Sequence, residues 1–311
     1  MQILFVVHRT HPYNGGSEYN VKLISEALAN ENYQVTVLTD CGNGDYGKVK
    51  VITDRDELFS NKYDWVIIHG NDMPIQDYAL LNIQKIKAKT LYWIIKPSDS
   101  PSAVFGFNYS TIIGWGTSYD FNHILKYSCT DKAKYIRYAV DLNDCFGNNY
   151  KNNNNLTFVS SGGFGSHKRF EQLIDIFTQL DMPNTELILT GYIGQPPFTE
   201  NKNIKIYHID SRKEYLNVIA SADLYIMNSH NEGFGLVLLD AMINKIPWIS
   251  NDIAGATDMK RYGNIYSNEC ELKNLLLNYK KDPNKINMAY QYILNERTIN
   301  YMVKDFDSIL N

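Results

Sequence analysis

Cysteine is scarce. The 311-residue chain has four, at positions 41, 129, 145 and 270, with no close pair and no histidine array beside them. That spacing supplies neither a disulfide framework nor a zinc site, and it reads as scattered reduced thiols in a cytoplasmic protein. A basic excess is missing as well. Thirty Lys and Arg stand against 34 Asp and Glu, for a net charge of −4, so no broad positive field is available to hold nucleic acid. Long hydrophobic runs are also lacking, and none approaches the roughly 20 residues that cross a bilayer. The opening run, ILFVV, has no basic leader and is expected to be a first strand, not a signal peptide. Without a secretory context, the sequons at Asn108 and Asn155 have no expected role.

What is present is alternation. ILFVV leads through a glycine turn into SEYNVKLISEALANE, whose apolar positions fall at helical spacing, and QVTVLT, WVIIHG and TLYWIIK follow as short buried-type strands. The rhythm restarts at LTFVSS. It continues through the helix KRFEQLIDIFTQL, the strands ELILTG and IKIYHI, the helix KEYLNVIASA, the strand LYIMNS, a helix from Leu236, and PWISND. Between the halves lies a patternless polar stretch rich in asparagine. The expected architecture is α/β, with two Rossmann-like βα domains: residues 1–147, a linker at 148–155, and residues 156–311. Ligands in such folds gather at the carboxyl ends of strands, so two such domains are expected to face each other across a cleft.

One segment carries the chemistry. In SHNEGFGLVLLDAM, Glu232 is followed by Gly233 and Gly235, where the backbone can approach a ligand closely. From Leu236 the pattern is helical, and Asp240 falls just over one turn in. A helix N-terminus behind glycines offers unpaired N–H groups and a positive dipole end to a phosphate. Two flanking carboxylates suit a ligand that bears hydroxyls as well. An amphipathic helix preceded by a flexible glycine turn satisfies the same pattern with no ligand.

The order of these motifs resembles a retaining glycosyltransferase of the GT-B fold, glycosyltransferase family 4, almost from end to end. NGGSEYNVKLISEALANENYQVTVLT is similar to that family's opening glycine loop, helix and second strand. YAVDLNDCF is similar to its exit from the first domain, and FVSSGGFGSHKRFEQLI to its donor-side loop. EGFGLVLLDAM is similar to its hallmark of a Glu, seven residues and a second Glu, with Asp240 in the last place.

The resemblance implies that Glu232 faces the donor sugar and that amides near Gly233, Phe234, Gly235 and Leu236 hold the phosphate. It further implies that Asp240 takes the ribose hydroxyls and that Lys168, behind Gly162 and Gly163, meets the diphosphate as a point charge. The family usually has Arg five residues before that Lys, where this chain has Gly163, and the adjacent Arg169 does not face the same way as Lys168. In the first half, Gly15 and Gly16 would bring amides toward the diphosphate or acceptor, or form a simple tight turn. His69 ends WVIIHG and is a catalytic candidate pointing at the cleft. The histidine that many members carry after the next strand is replaced by Lys96.

The implied reaction moves a sugar from a nucleotide diphosphate-sugar to an acceptor hydroxyl, with no cofactor beyond that co-substrate and no metal. Asp54 and Asp56 spell the D-x-D of the other large glycosyltransferase fold, but in TDRDELF they read as a helix cap and a first-turn acid. GGFGSHK is not a P-loop, because His167 precedes the lysine. The acceptor stays open among glycan, lipid, protein and small molecule. So does peripheral membrane contact, for which KIKAK at 85–89 is too slight a basis. The competing functions are a nucleotide-sugar epimerase on the same scaffold and a degenerate sugar-nucleotide binding protein without turnover.

Overall fold

The computed structural model describes residues 1–10, 15–42, 44–145 and 155–311. They form two compact units, Met1–Ala139 with Arg297–Asn311, and Val140–Glu296. The expected linker at 148–155 lies outside the described residues except for Asn155.

The first unit is built on seven strands: β1 (Gln2–Arg9), β2 (Gln34–Cys41), β3 (Lys50–Ile52), β4 (Trp65–His69), β5 (Lys89–Trp93), β6 (Ile112–Trp115) and β7 (Ala133–Tyr135). They pair in the order β3-β2-β1-β4-β5-β6-β7, and every pairing is parallel. Ile3 to Val7 and Val66 to Ile68 are buried almost completely, as strands covered on both faces must be. Helices α1 (Gly16–Asn30), α2 (Pro74–Leu81), α3 (Pro101–Tyr109) and α4 (Ser118–Leu125) connect them.

The second unit repeats the plan with six strands: β8 (Leu156–Ser161), β9 (Thr185–Gly191), β10 (Ile204–His208), β11 (Leu224–Met227), β12 (Trp248–Asn251) and β13 (Asn264–Tyr266). Their order is β10-β9-β8-β11-β12-β13, again all parallel. The helices are α5 (Phe170–Leu180), α6 (Arg212–Ser221), α7 (Leu236–Ile243), α8 (Ala254–Asp258), α9 (Glu269–Leu277) and α10 (Pro283–Glu296). In α5, Phe170, Leu173, Ile174 and Phe177 recur at helical spacing and join Phe158, Leu187 and Ile226 in the core. Strand order reverses between β8 and β11, and ligands bind beside the carboxyl ends of such a pair. The loops that leave those two strands carry Lys168 and Glu232.

The domain boundaries expected from sequence need two corrections, the first being that residues 140–145, expected in the first domain, fall in the second unit. The last helix, α11 (Ile299–Leu310), belongs to the first unit and not to the second. Its buried stripe of Met302, Phe306, Ile309 and Leu310 sets Phe306 against Phe5 and Trp93, with ring centroids 6.1 and 5.2 Å away. Arg137 grips Asp305 through Nε at 2.7 Å and Nη2 at 2.9 Å, and the Trp65 indole donates to the Leu310 carbonyl at 3.2 Å. Chain order alone gives no sign of this return. No described helix is long and apolar enough to cross a membrane.

Candidate active site

Lys168 closes a short 3₁₀ turn, Ser166–Lys168, after β8. Its side chain runs across Gly162, where an added Cβ would lie 2.3 Å from the Lys168 Cε, and the Gly162 φ of +147° also favours glycine. This is a close approach that the sequence reading assigned to the donor loop without a reason for Gly162. The His230 amide donates to the His167 carbonyl at 3.0 Å. That bond joins the loop after β11 to the loop after β8. Across it, Lys168 Nζ and Glu232 Oε1 make a short ion pair.

The glycines after Glu232 set the start of α7. Gly235 is its N-cap in the left-handed region, with φ 82° and no side-chain cap. An added Cβ there would touch the Met227 Cε at 3.0 Å. Gly235 therefore offers no capping side chain to the first turn of α7, where the Leu238 amide donates to the Gly235 carbonyl at 2.9 Å, and an uncapped helix start suits an anion. Phe234 is buried, and its carbonyl lies so close to Gly255 that a Cβ at 255 would sit 2.1 Å away. Helix α8 thus fixes the Phe234 peptide. Gly233 and Leu236 flank it, half-buried.

Gly163 packs under Ile193, and a Cβ there would meet the Ile193 Cγ2 at 2.9 Å. The arginine that the resemblance expects at this position has no room without a shift of Ile193.

Asp240, which the resemblance assigns to the ribose hydroxyls, lies one turn inside α7. It is buried, and both oxygens are already occupied. Oδ1 accepts from Arg212 Nη2 at 2.5 Å, and Oδ2 accepts from Arg212 Nη1 and the Tyr215 hydroxyl, each at 3.0 Å. Arg212 also donates to Asp144 Oδ2 at 2.8 Å. The Tyr215 phenol is pushed well above its ordinary pKa, first by burial and then by the Asp240 charge. Arg212, Tyr215 and Asp144 were missed from sequence. Arg212 opens α6 behind the N-cap Ser211, but no spacing rule links it to a carboxylate 28 residues on.

In the first unit, Gly15 is the buried N-cap of α1 and Gly16 its exposed first residue. The Gly15 φ of −73° is ordinary, so no left-handed backbone is required there. Glu18, in the same first turn, has its carboxyl pKa raised mainly by burial. His69 ends β4 as expected but does not reach the surface. Its exposure is 0%, its ring lies 4.2 Å from Trp93, and Nδ1 is 3.2 Å from the Ser17 hydroxyl. Burial lowers its pKa to about 3, so the ring is neutral at ordinary pH. Asp54 caps the turn Arg55–Phe59 by accepting from the Asp56 amide at 3.0 Å.

Residues 145–293 match the family described as glycosyl transferases group 1. That stretch is similar to a group 1 glycosyltransferase domain. A probable sucrose-phosphate synthase of Thermosipho melanesiensis is 27% identical to the chain over 173 residues. The match takes in 50% of this chain and only 41% of the relative's length. Anabaena HepE, solved in complex with UDP-glucose, is similar over 100% of this chain and 99% of its own, with a TM-score of 0.79 at 14% identity. Sucrose-phosphate synthase from Thermosynechococcus elongatus gives a TM-score of 0.80 at 13% identity, covering 99% of this chain and 98% of that one. The fold is GT-B. Within residues 145–293, the β8–β11 reversal brings Lys168 and Glu232 together close to the start of α7.

Proposed function

We propose that the chain is a retaining, metal-independent glycosyltransferase that moves a sugar from a nucleoside diphosphate sugar to an acceptor hydroxyl. The Lys168–Glu232 pair beside the uncapped N-terminus of α7 carries this reading. A diphosphate seated there meets one fixed cation and a row of helix amides, which stabilise the charge that grows on the leaving group. Those two features supply the leaving-group stabilisation that a divalent ion supplies elsewhere.

When the diphosphate arrives, Lys168 exchanges its partner, and Glu232 is released toward the sugar. Its carboxylate then stabilises positive charge at the anomeric carbon. The leaving phosphate oxygen takes the acceptor proton on the same face, which retains configuration. Asp240 serves this site indirectly, holding Arg212 and Asp144 against α7. UDP-glucose is the first donor to try, because HepE was solved with it. Unpaired Cys41, Cys129, Cys145 and Cys270 support placing the reaction in the reducing cytoplasm.

A thermal-shift panel of nucleotide sugars, followed by nucleotide-release assays with an acceptor panel, tests this reading. Stabilisation by one donor and acceptor-dependent release of its nucleoside diphosphate supports it. Donor binding with neither transfer nor hydrolysis would instead show a sugar-nucleotide binding protein.

A further inference from the structure

Lys168 and Arg169 are neighbours in sequence, yet their side chains serve different places. Lys168 pairs with Glu232, whereas Arg169 lines a separate cavity of roughly 320 Å³ at the carboxyl ends of β11, β12 and β13. Neither Lys168 nor Glu232 lines that cavity. Its volume is at the lower end of the range of ligand pockets, which suits one sugar ring better than a nucleotide sugar.

Arg169 is held there by its backbone. It caps α5 in the left-handed region with φ 54°, where a non-glycine residue is strained. Two bonds fix its carbonyl: the Asn228 side-chain amide donates to it at 3.1 Å and the Leu173 amide at 3.2 Å. Asn228 is itself pinned, because its Oδ1 accepts from the buried Tyr266 hydroxyl at 2.5 Å. The braced arginine lines the cavity, and its charge acts on Tyr266 and Glu269, which line it too.

Most other polar groups around the cavity are already committed. Glu269 pairs with Lys273 at 2.6 Å, and that bond is the main reason its carboxyl pKa is lowered. Asp252 Oδ1 accepts from Thr257 at 2.6 Å. Two groups remain. Among the described residues the Arg169 guanidinium makes no ion pair, and the buried Asn251 Oδ1 has no hydrogen-bond partner. Ile176 and Leu272, both buried, supply an apolar floor.

We propose that this cavity is a second ligand site, separate from the donor site, for a monosaccharide carrying a phosphate or a carboxylate. The guanidinium is a fork of N–H donors matched to such an anion. Asn251 Oδ1 accepts from a ring hydroxyl, and the floor takes the less polar face of the ring. A guanidinium that makes no ion pair, though its charge is felt by Glu269, and a buried unpaired acceptor in one cavity each gain most from a ligand that satisfies both.

The test is calorimetry with glucose 6-phosphate, glucuronate, glucose and inorganic phosphate on the wild type, Arg169→Gly and Asn251→Ala. Glycine accepts the left-handed backbone, so Arg169→Gly is expected to keep or raise the melting temperature. The expected result is that glucose 6-phosphate or glucuronate binds the wild type more tightly than glucose or phosphate alone. Affinity should fall at least ten-fold in Arg169→Gly and at least three-fold in Asn251→Ala. UDP should bind the wild type and Arg169→Gly alike, which separates this site from the donor site whether or not transfer is ever detected. The proposal is overturned if neither anionic sugar binds, if both variants bind like the wild type, or if phosphate alone matches glucose 6-phosphate.

Discussion

Lys168 and Glu232, 64 residues apart in the chain, form an ion pair in which both side chains are largely shielded from solvent. The pair exists because the loops after β8 and β11 are tied by the His230–His167 backbone bond. In the proposed donor complex, this carboxylate competes with the diphosphate for the cation.

Two substitutions should therefore act in opposite directions on nucleotide binding. Lys168→Ala is expected to weaken UDP binding at least ten-fold. Glu232→Gln removes the competitor and is expected to tighten UDP binding while slowing transfer from UDP-glucose by about 100-fold, in line with the roughly 2.7–4 kcal/mol lost with one preorganised electrostatic contact. Calorimetry and initial rates check both, and weaker UDP binding in Glu232→Gln would sink the competition argument.

Activity is expected to survive EDTA, because in the proposed reaction Lys168 and the α7 amides take the part of a metal. Rates measured before and after chelation decide it. Loss that Mn²⁺ or Mg²⁺ restores would refute the metal-independent reading and turn attention to other carboxylates.

Asp240→Asn is expected to destabilise the protein more than it alters ribose recognition. Removing one partner from a buried ion pair costs on the order of 3 kcal/mol, and a loss of roughly 6–12 °C in melting temperature follows for a domain of this size. UDP and its 2′-deoxy analogue should be discriminated equally by mutant and wild type. If discrimination disappears with the mutation, Asp240 touches the ribose after all.

His69 makes the first unit acid-sensitive. Its folded pKa, lowered by burial to about 3, lies below the unfolded value near 6.5. The unfolded chain therefore binds the extra proton first as pH falls. Stability associated with this residue is intact above about pH 6.5 and declines from there toward pH 3. A His69→Gln variant should show a flatter melting-temperature profile between pH 6.5 and 4. An unchanged slope would mean that the ring is protonated in the folded state.

Deleting the aromatic ring of Phe306 should destabilise the first unit, although the residue lies at the far end of the chain. Phe306→Ala is expected to cost about 3–5 kcal/mol, the usual range for a buried Phe. Limited proteolysis checks the location: cleavage should increase in Met1–Ala139 before Val140–Glu296. The reverse order would place α11 with the second unit.

Local pattern determined much of this protein. Continuous apolar runs such as WVIIH mark parallel strands buried on both faces, and the stripe in KRFEQLIDIFTQL marks a helix on a sheet, because both signals depend only on residue spacing. Glu232 and Gly235 stood out for a similar reason, since a glycine turn before a helix has a short-range backbone cause, whereas Lys168 was singled out only by the family resemblance. What depends on long-range packing was decided by tertiary structure alone. Whether α11 returns to the first unit turns on Phe306 meeting Phe5 and Trp93. The partner of Asp240 turns on α6 bringing Arg212 beside α7. His69 ends its strand as the pattern says, yet Trp93 and Ser17 enclose it, so strand position did not fix its exposure. For Arg169, spacing already separates its direction from that of Lys168, but the cavity it lines exists only because Asn228, Asn251, Tyr266 and Leu272 are packed around it. Sequence spacing specifies which way a segment faces locally, whereas partners distant in the chain are chosen by the packing of whole elements.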